Sequence, residues 1–133
     1  MARAVGRNVL RKEGREKVSG AARYIDDLSF PHLLHARTIR STIPAGEIAG
    51  VSFDFDSSGF TIVDYRDVPG PNVIALIEDD QPCLAERTIR HVAEPVVILA
   101  HEDRDRLLAA SVRVEYRSST PNYDPEMSRV SFK

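Results

Sequence analysis

Val96-Val97-Ile98-Leu99-Ala100, then Asp103-Arg104-Asp105-Arg106-Leu107-Leu108-Ala109-Ala110, then Val112-Arg113-Val114-Glu115-Tyr116, is a sequence whose periodicity changes twice in 21 residues. The first run is short, unbroken and mostly β-branched, the signature of a central strand buried on both faces. Asp103 is suited to accept hydrogen bonds from the first free N–H groups of a helix. Leu107, Ala110, Ser111 and Val114 then recur at helical spacing. From Val112 the apolar residues instead alternate with Arg113, Glu115 and Arg117, which is strand spacing. The expectation is a helix near residues 103–111, ending at about Ala110, and a strand from about Val112.

Upstream, Val51, Phe53 and Phe55 alternate with Ser52, Asp54 and Asp56. That pattern predicts a strand over about Ile48–Phe55 with its three apolar residues on a buried face. Ser57-Ser58-Gly59 turns the chain into a short strand at Phe60–Val63, and Asp64–Val68 fits a helical turn stopped by Pro69-Gly70. Residues 33–41 read as a further strand bounded by Pro31 and Pro44. Val73–Ile77 reads as strand or buried loop, and Glu78-Asp79-Asp80 as a solvated turn. Residues 1–20 read as an extended arm and residues 118–133 as an irregular tail, leaving 21–117 as the folded domain. Strands with few helices between them place the chain in the α+β class, with a mixed sheet.

The 133 residues suit one domain. With 18 basic against 20 acidic side chains there is no strongly basic face for nucleic acid. A hydrophobic share of 42% with 29% charged residues and no low-complexity run implies an ordered fold. No apolar run reaches membrane-spanning length, and the basic start (Arg3, Arg7, Arg11, Lys12, Arg15, Lys17) lacks the apolar block of a secretory signal. The lone Cys83 provides no disulfide partner and fits a reducing, cytoplasmic setting. One thiolate also falls short of the four that normally hold an iron–sulfur cluster.

Convergent chemistry is scarce. There is no phosphate-cradling glycine motif and no nucleophile elbow. His32 and His35 fall on opposite faces of an extended segment, and no spacing marks a third ligand for them or for His91 and His101. His91 is expected to be a half-buried ring with one hydrogen bond. The acidic pair Asp79-Asp80 suits a turn, and Glu102-Asp103 a helix start. Cys83, between Pro82 and Leu84, reads as a small packed thiol. Arg37 and Arg40 are not expected to form a clamp. The six cations of the arm face only Glu13 and Glu16, a balance that can steer an acidic partner chain as readily as it can simply solvate the arm.

One resemblance runs through nearly the whole chain. Lys17-Val18-Ser19-Gly20-Ala21-Ala22-Arg23-Tyr24-Ile25-Asp26-Asp27, followed by Leu34-His35-Ala36-Arg37-Thr38-Ile39-Arg40-Ser41, resembles the opening of the molybdopterin-binding chain of the molybdenum hydroxylases, the xanthine dehydrogenase and aldehyde oxidase family. Asp67-Val68-Pro69-Gly70-Pro71-Asn72, Asp80-Gln81-Pro82-Cys83-Leu84-Ala85, Val92-Ala93-Glu94-Pro95-Val96 and Val112-Arg113-Val114-Glu115-Tyr116 are similar to four further family segments, in the same order. The resemblance implies an α/β-hammerhead domain. In the complete enzymes it implies hydroxylation of N-heterocycles or aldehydes at a molybdopterin-bound molybdenum, with iron–sulfur clusters and often FAD carrying electrons onward.

The glycine- and glutamine-rich molybdenum-pocket segment and the late glutamate of such chains have no counterpart here. No catalytic, cofactor-binding or metal-ligating residue is therefore assigned to this sequence. The implied role is structural, docking on molybdopterin domains and on iron–sulfur and flavin subunits, with xanthine dehydrogenase the nearest subgroup. Asp26-Asp27 would fix a turn at such a contact, and Arg40 an ion pair or interdomain hydrogen bond. Two departures from the family pattern stand out. Ala93 replaces a glycine, so a negative φ is expected there, and the Phe55–Phe60 connection is short. An exposed apolar patch is expected where other domains dock, and a self-sufficient binding module is the alternative.

Overall fold

The chain is described by a computed structural model that covers residues 5, 6, 8–75 and 79–127. It divides into two compact units, Met1–Leu33 and Leu34–Lys133.

The larger unit is built on two three-stranded sheets, both wholly antiparallel. The strands are β1 (His35–Arg40), β2 (Gly46–Phe53), β3 (Thr61–Val63), β4 (Thr88–Ile89), β5 (Pro95–His101) and β6 (Val112–Ser118). One sheet has the order β1-β5-β3 and the other β4-β2-β6. The α+β class therefore holds, while the mixed sheet expected from sequence is resolved into two antiparallel ones. Turn chemistry and alternation mark strands, but neither encodes which strands pair or in which direction.

β5 is central in its sheet, with Leu99 opposite Arg37 on one side and Ile62 on the other. Its neighbouring residues Val97 and Val96 point to opposite faces and enter different clusters. Val97 and Leu99 join Leu107 and Ala110, with Ile39, Phe60 and Ile62 packed against them. Val96 joins Ala85 and Ile89, with Ile43, Ile48 and Tyr116 around them. An unbroken apolar run is what a strand serving two cores requires.

The helix following β5 spans Arg104–Ala109, inside the expected 103–111. Asp103 caps it, its carboxylate accepting from the N–H groups of Asp105 and Arg106 at 2.8 and 3.1 Å. The far end is closed by Arg37 of β1, whose guanidinium donates to the carbonyl oxygens of Leu108 (3.1 Å) and Ala110. Arg37 therefore serves the fold by satisfying carbonyls that a helix end leaves without partners.

The hydrogen bond from the Arg106 N–H holds the Asp103 carboxyl below its ordinary value of 3.8. The Arg66 side chain does the same for Asp64, the cap of the 3₁₀ turn Tyr65–Asp67. Both groups are depressed in the folded state. The stability they contribute is present above the ordinary carboxylate pKa and is lost as pH falls through the depressed values. The urea midpoint should therefore hold steady down to pH of about 5 and fall below it. Asp103→Asn, which keeps a capping oxygen without the charge, should flatten that fall.

β2 departs from simple alternation. Its register with β6 slips between Ile48 and Gly50. The extra residue brings Ile48, Val51 and Phe53 opposite Tyr116, Val114 and Val112 and hence onto one face. That face is incompletely covered: Val51 and Phe53 remain 36% and 39% exposed. The sequence pattern had all three of Val51, Phe53 and Phe55 buried. Phe55 is only partly buried, packed on the core with its ring 4.7 Å from that of Phe60.

The smaller unit carries an α-helix at Gly14–Ser19, where sequence suggested an extended arm. Lys17 pairs with Glu13 at 3.4 Å, and Gly20 ends the helix at φ +74°. A second turn, Ile25–Asp27, is held by the Asp27 carboxylate accepting from the Tyr24 N–H at 2.9 Å. Asp26-Asp27 is thus a turn-forming pair. Leu76, Ile77, Glu78 and the end of the C-terminal tail lie outside the described residues. The tail has a 3₁₀ turn at Pro125–Met127.

Candidate docking surfaces

No described residue from Val5 to Leu33 is buried. Val9, Leu10, Val18, Tyr24, Ile25 and Phe30 are all well exposed. A segment that buries none of its own apolar side chains gains nothing to offset the entropy of ordering it. Its helix, six residues long, is too short to be stable on local bonds alone.

The larger unit presents a second apolar surface. Val51, Phe53 and Ile48 line a groove of about 300 Å³, rimmed by Tyr65, Arg66 and Glu86. Across this rim the Arg66 guanidinium grips the Asp64 carboxylate at 3.0 and 3.1 Å through Nε. A separate cleft of about 390 Å³ is polar and of mixed sign, with Asp79, Asp80, Arg87 and Arg90 among its walls. Asn72 closes one side of it, donating to the Leu84 carbonyl at 2.7 Å and accepting from the Leu84 N–H at 3.1 Å.

His35 and His101 face each other across β1 and β5. The His101 ring is buried, lies tilted against Phe60 at 4.5 Å and accepts the Asp103 N–H at 2.8 Å through Nδ1. His91 is exposed rather than half-buried, with Nδ1 2.9 Å from the Val92 carbonyl. Cys83 is half-buried and carries no disulfide. Arg40 donates to the Ala93 carbonyl at 3.0 Å, a contact inside its own unit.

Among the described residues no three His, Cys, Asp or Glu side chains converge to hold a metal. One cysteine falls short of the four thiolates that normally hold an iron–sulfur cluster. No helix of the described residues is long and apolar enough to cross a membrane.

Two residues of the Val92-Ala93-Glu94-Pro95 motif behave otherwise than the sequence suggests. Ala93 takes φ +66°, against the negative φ expected of an alanine. Its N–H donates to the Ser41 carbonyl at 2.8 Å and its own carbonyl accepts from Arg40, so tertiary bonds hold the left-handed geometry. Ala93→Gly should therefore stabilise the fold by about 1 kcal/mol, read as a rise in urea midpoint at unchanged slope. Glu94 is 2% exposed. One carboxylate oxygen accepts the Arg90 N–H at 2.6 Å, and the other has no partner among the described residues. A carboxylate placed directly before the most apolar run of the chain was the only sequence signal for it.

Residues 19–120 match the family model described as the a/b hammerhead domain of aldehyde oxidase and xanthine dehydrogenase. The chain belongs to this family. It is 34% identical over 122 residues to a probable xanthine dehydrogenase subunit of Bacillus subtilis, covering 88% of this chain and 16% of that protein. It is 31% identical over 119 residues to the nicotinate dehydrogenase large molybdopterin subunit of Eubacterium barkeri, covering 84% and 28% respectively. The fold is similar to that of the aldehyde oxidoreductase of Desulfovibrio desulfuricans, with a TM-score of 0.75 at 20% identity over 98% of this chain and 17% of that one. This is thus a hammerhead domain homologous to part of molybdenum hydroxylase large subunits, and it spans under a third of the length of these two curated relatives.

Proposed function

We propose that this chain is the structural, docking domain of a xanthine dehydrogenase-like molybdenum hydroxylase. In the complete enzyme, N-heterocycles or aldehydes are hydroxylated at a molybdopterin-bound molybdenum carried by other domains. Iron–sulfur clusters, and FAD where a flavin subunit is present, take the electrons. This chain supplies no reacting group. Residues 21–117 form the domain proper, residues 1–20 an arm, and residues 118–133 the connection toward molybdopterin domains.

The observation that carries this reading is the N-terminal unit, which exposes large apolar side chains and buries none of its described residues. Such a surface is retained where another protein surface covers it. Family membership supports molybdopterin domains as that surface.

The purified chain, mixed with a large-subunit polypeptide from which the equivalent domain has been removed, should co-elute with it on size exclusion. A chain lacking residues 1–33 should bind at least about tenfold more weakly. Separate elution of the intact chain would count against docking. A second reading, a self-sufficient binding module, has only the polar cleft beside Asn72 and Arg90 in its favour.

A further inference from the structure

Two of the exposed apolar residues at the start of the chain line one groove. Leu10 and Val18 are 96% and 91% exposed, and together they form the apolar part of one open groove of about 850 Å³. Arg11, Lys12 and Arg15 form its ionic part. The helix Gly14–Ser19 and its approach sort their charges around this groove. Glu13 is turned to Lys17 at 3.4 Å, and neither of these residues nor Glu16 lines the groove. Among the described residues every ionic group lining the groove is therefore a cation, although the chain as a whole is slightly acidic, at −2.

Two exposed apolar side chains flanked by cations complement a segment in which large apolar side chains alternate with carboxylates. We propose that this groove binds an acidic, leucine-type segment of the polypeptide that carries the remainder of the enzyme. This rests on the docking reading and names the chemistry of the contact. The chain spans 16% of its Bacillus relative, so nearly all of the polypeptide able to supply such a segment is outside this chain. An anionic membrane is the poorer fit. Interfacial helices lay a long apolar face into lipid, whereas this helix has six residues and Val18 as its one large apolar side chain.

The test uses the full chain and three probes, read by fluorescence anisotropy and by vesicle sedimentation. The probes are a labelled peptide alternating glutamate and leucine, its lysine–leucine counterpart, and vesicles of phosphatidylcholine with phosphatidylserine. The acidic peptide should bind at least about tenfold more tightly than the basic one, and less tightly as salt is raised. The triple variant Arg11→Glu, Lys12→Glu, Arg15→Glu should reverse that preference. Reversal, unlike simple loss, does not arise from a loosened arm.

Equal affinity for the two peptides, an unchanged preference in the triple variant, or capture of vesicles without the acidic peptide would each overturn the proposal. If the peptide fails while the intact chain still co-elutes with the large-subunit polypeptide, the groove is refuted and the docking reading stands.

Discussion

Gly46→Ala is expected to cost about 3 kcal/mol or more, enough to unfold a large fraction of a domain of ordinary stability. Gly46 opens β2 at φ +150°, a backbone geometry that a side chain rarely adopts. Space is lacking as well. An added Cβ would overlap the Arg117 carbonyl and lie 2.8 Å from Cδ1 of Ile43 and 3.0 Å from Cα of Ser118. Ile43 has room to turn, but Arg117 and Ser118 are backbone of β6, held in register against Glu47 and Gly46. Relief would require parting β2 from β6 where their sheet begins. Gly50→Ala, in the same strand, supplies the contrast. There the new Cβ would meet only the Glu115 carboxylate at 3.7 Å, and φ is ordinary. Its urea midpoint should stay within about 0.5 kcal/mol of the parent.

Leu99→Ala is expected to cost about 3–4 kcal/mol and to lower Tm by more than about 10 °C. Leu99 is 0% exposed on the central strand and packs against Val97, Leu107 and Ala110. Strands border it on both sides, opposite Arg37 and Ile62, so the walls around a vacated side chain have little freedom to collapse. Leu108, one position beyond the buried Leu107 on the helix, is 55% exposed. Leu108→Ala should therefore change stability by less than about 0.5 kcal/mol. Comparable losses at Leu99 and Leu108 would mean that the core does not lie where β5 and the helix place it.

The parts of the fold set by local chemistry were legible. A β-branched run gave β5, Asp103 gave the helix start, and alternation beginning at Val112 gave β6. Asp64–Val68 was read as a helical turn, and it contains the 3₁₀ turn Tyr65–Asp67. What depends on distant partners was not legible. The slip at Ile48/Gly50 moves side chains between faces of β2, and a single strand's alternation does not reveal it. The left-handed Ala93 is held by Ser41 and Arg40, both about fifty residues away in sequence. Arg37, a strand arginine without visible purpose, closes a helix seventy residues downstream.

The candidate surfaces divide in the same way. The basic arm was visible as composition. Its sorting into a cationic groove backed by Leu10 and Val18 needed the turn of the helix to bring those residues together.

The most direct measurement is of the purified 133-residue chain itself: its molybdenum content by mass spectrometry, and its oxidation of an aldehyde and of a purine with a dye acceptor. A docking domain should show no molybdenum and no turnover alone, with both appearing in the complex with the molybdopterin-bearing polypeptide. Bound molybdenum or substrate oxidation by the isolated chain would contradict that role.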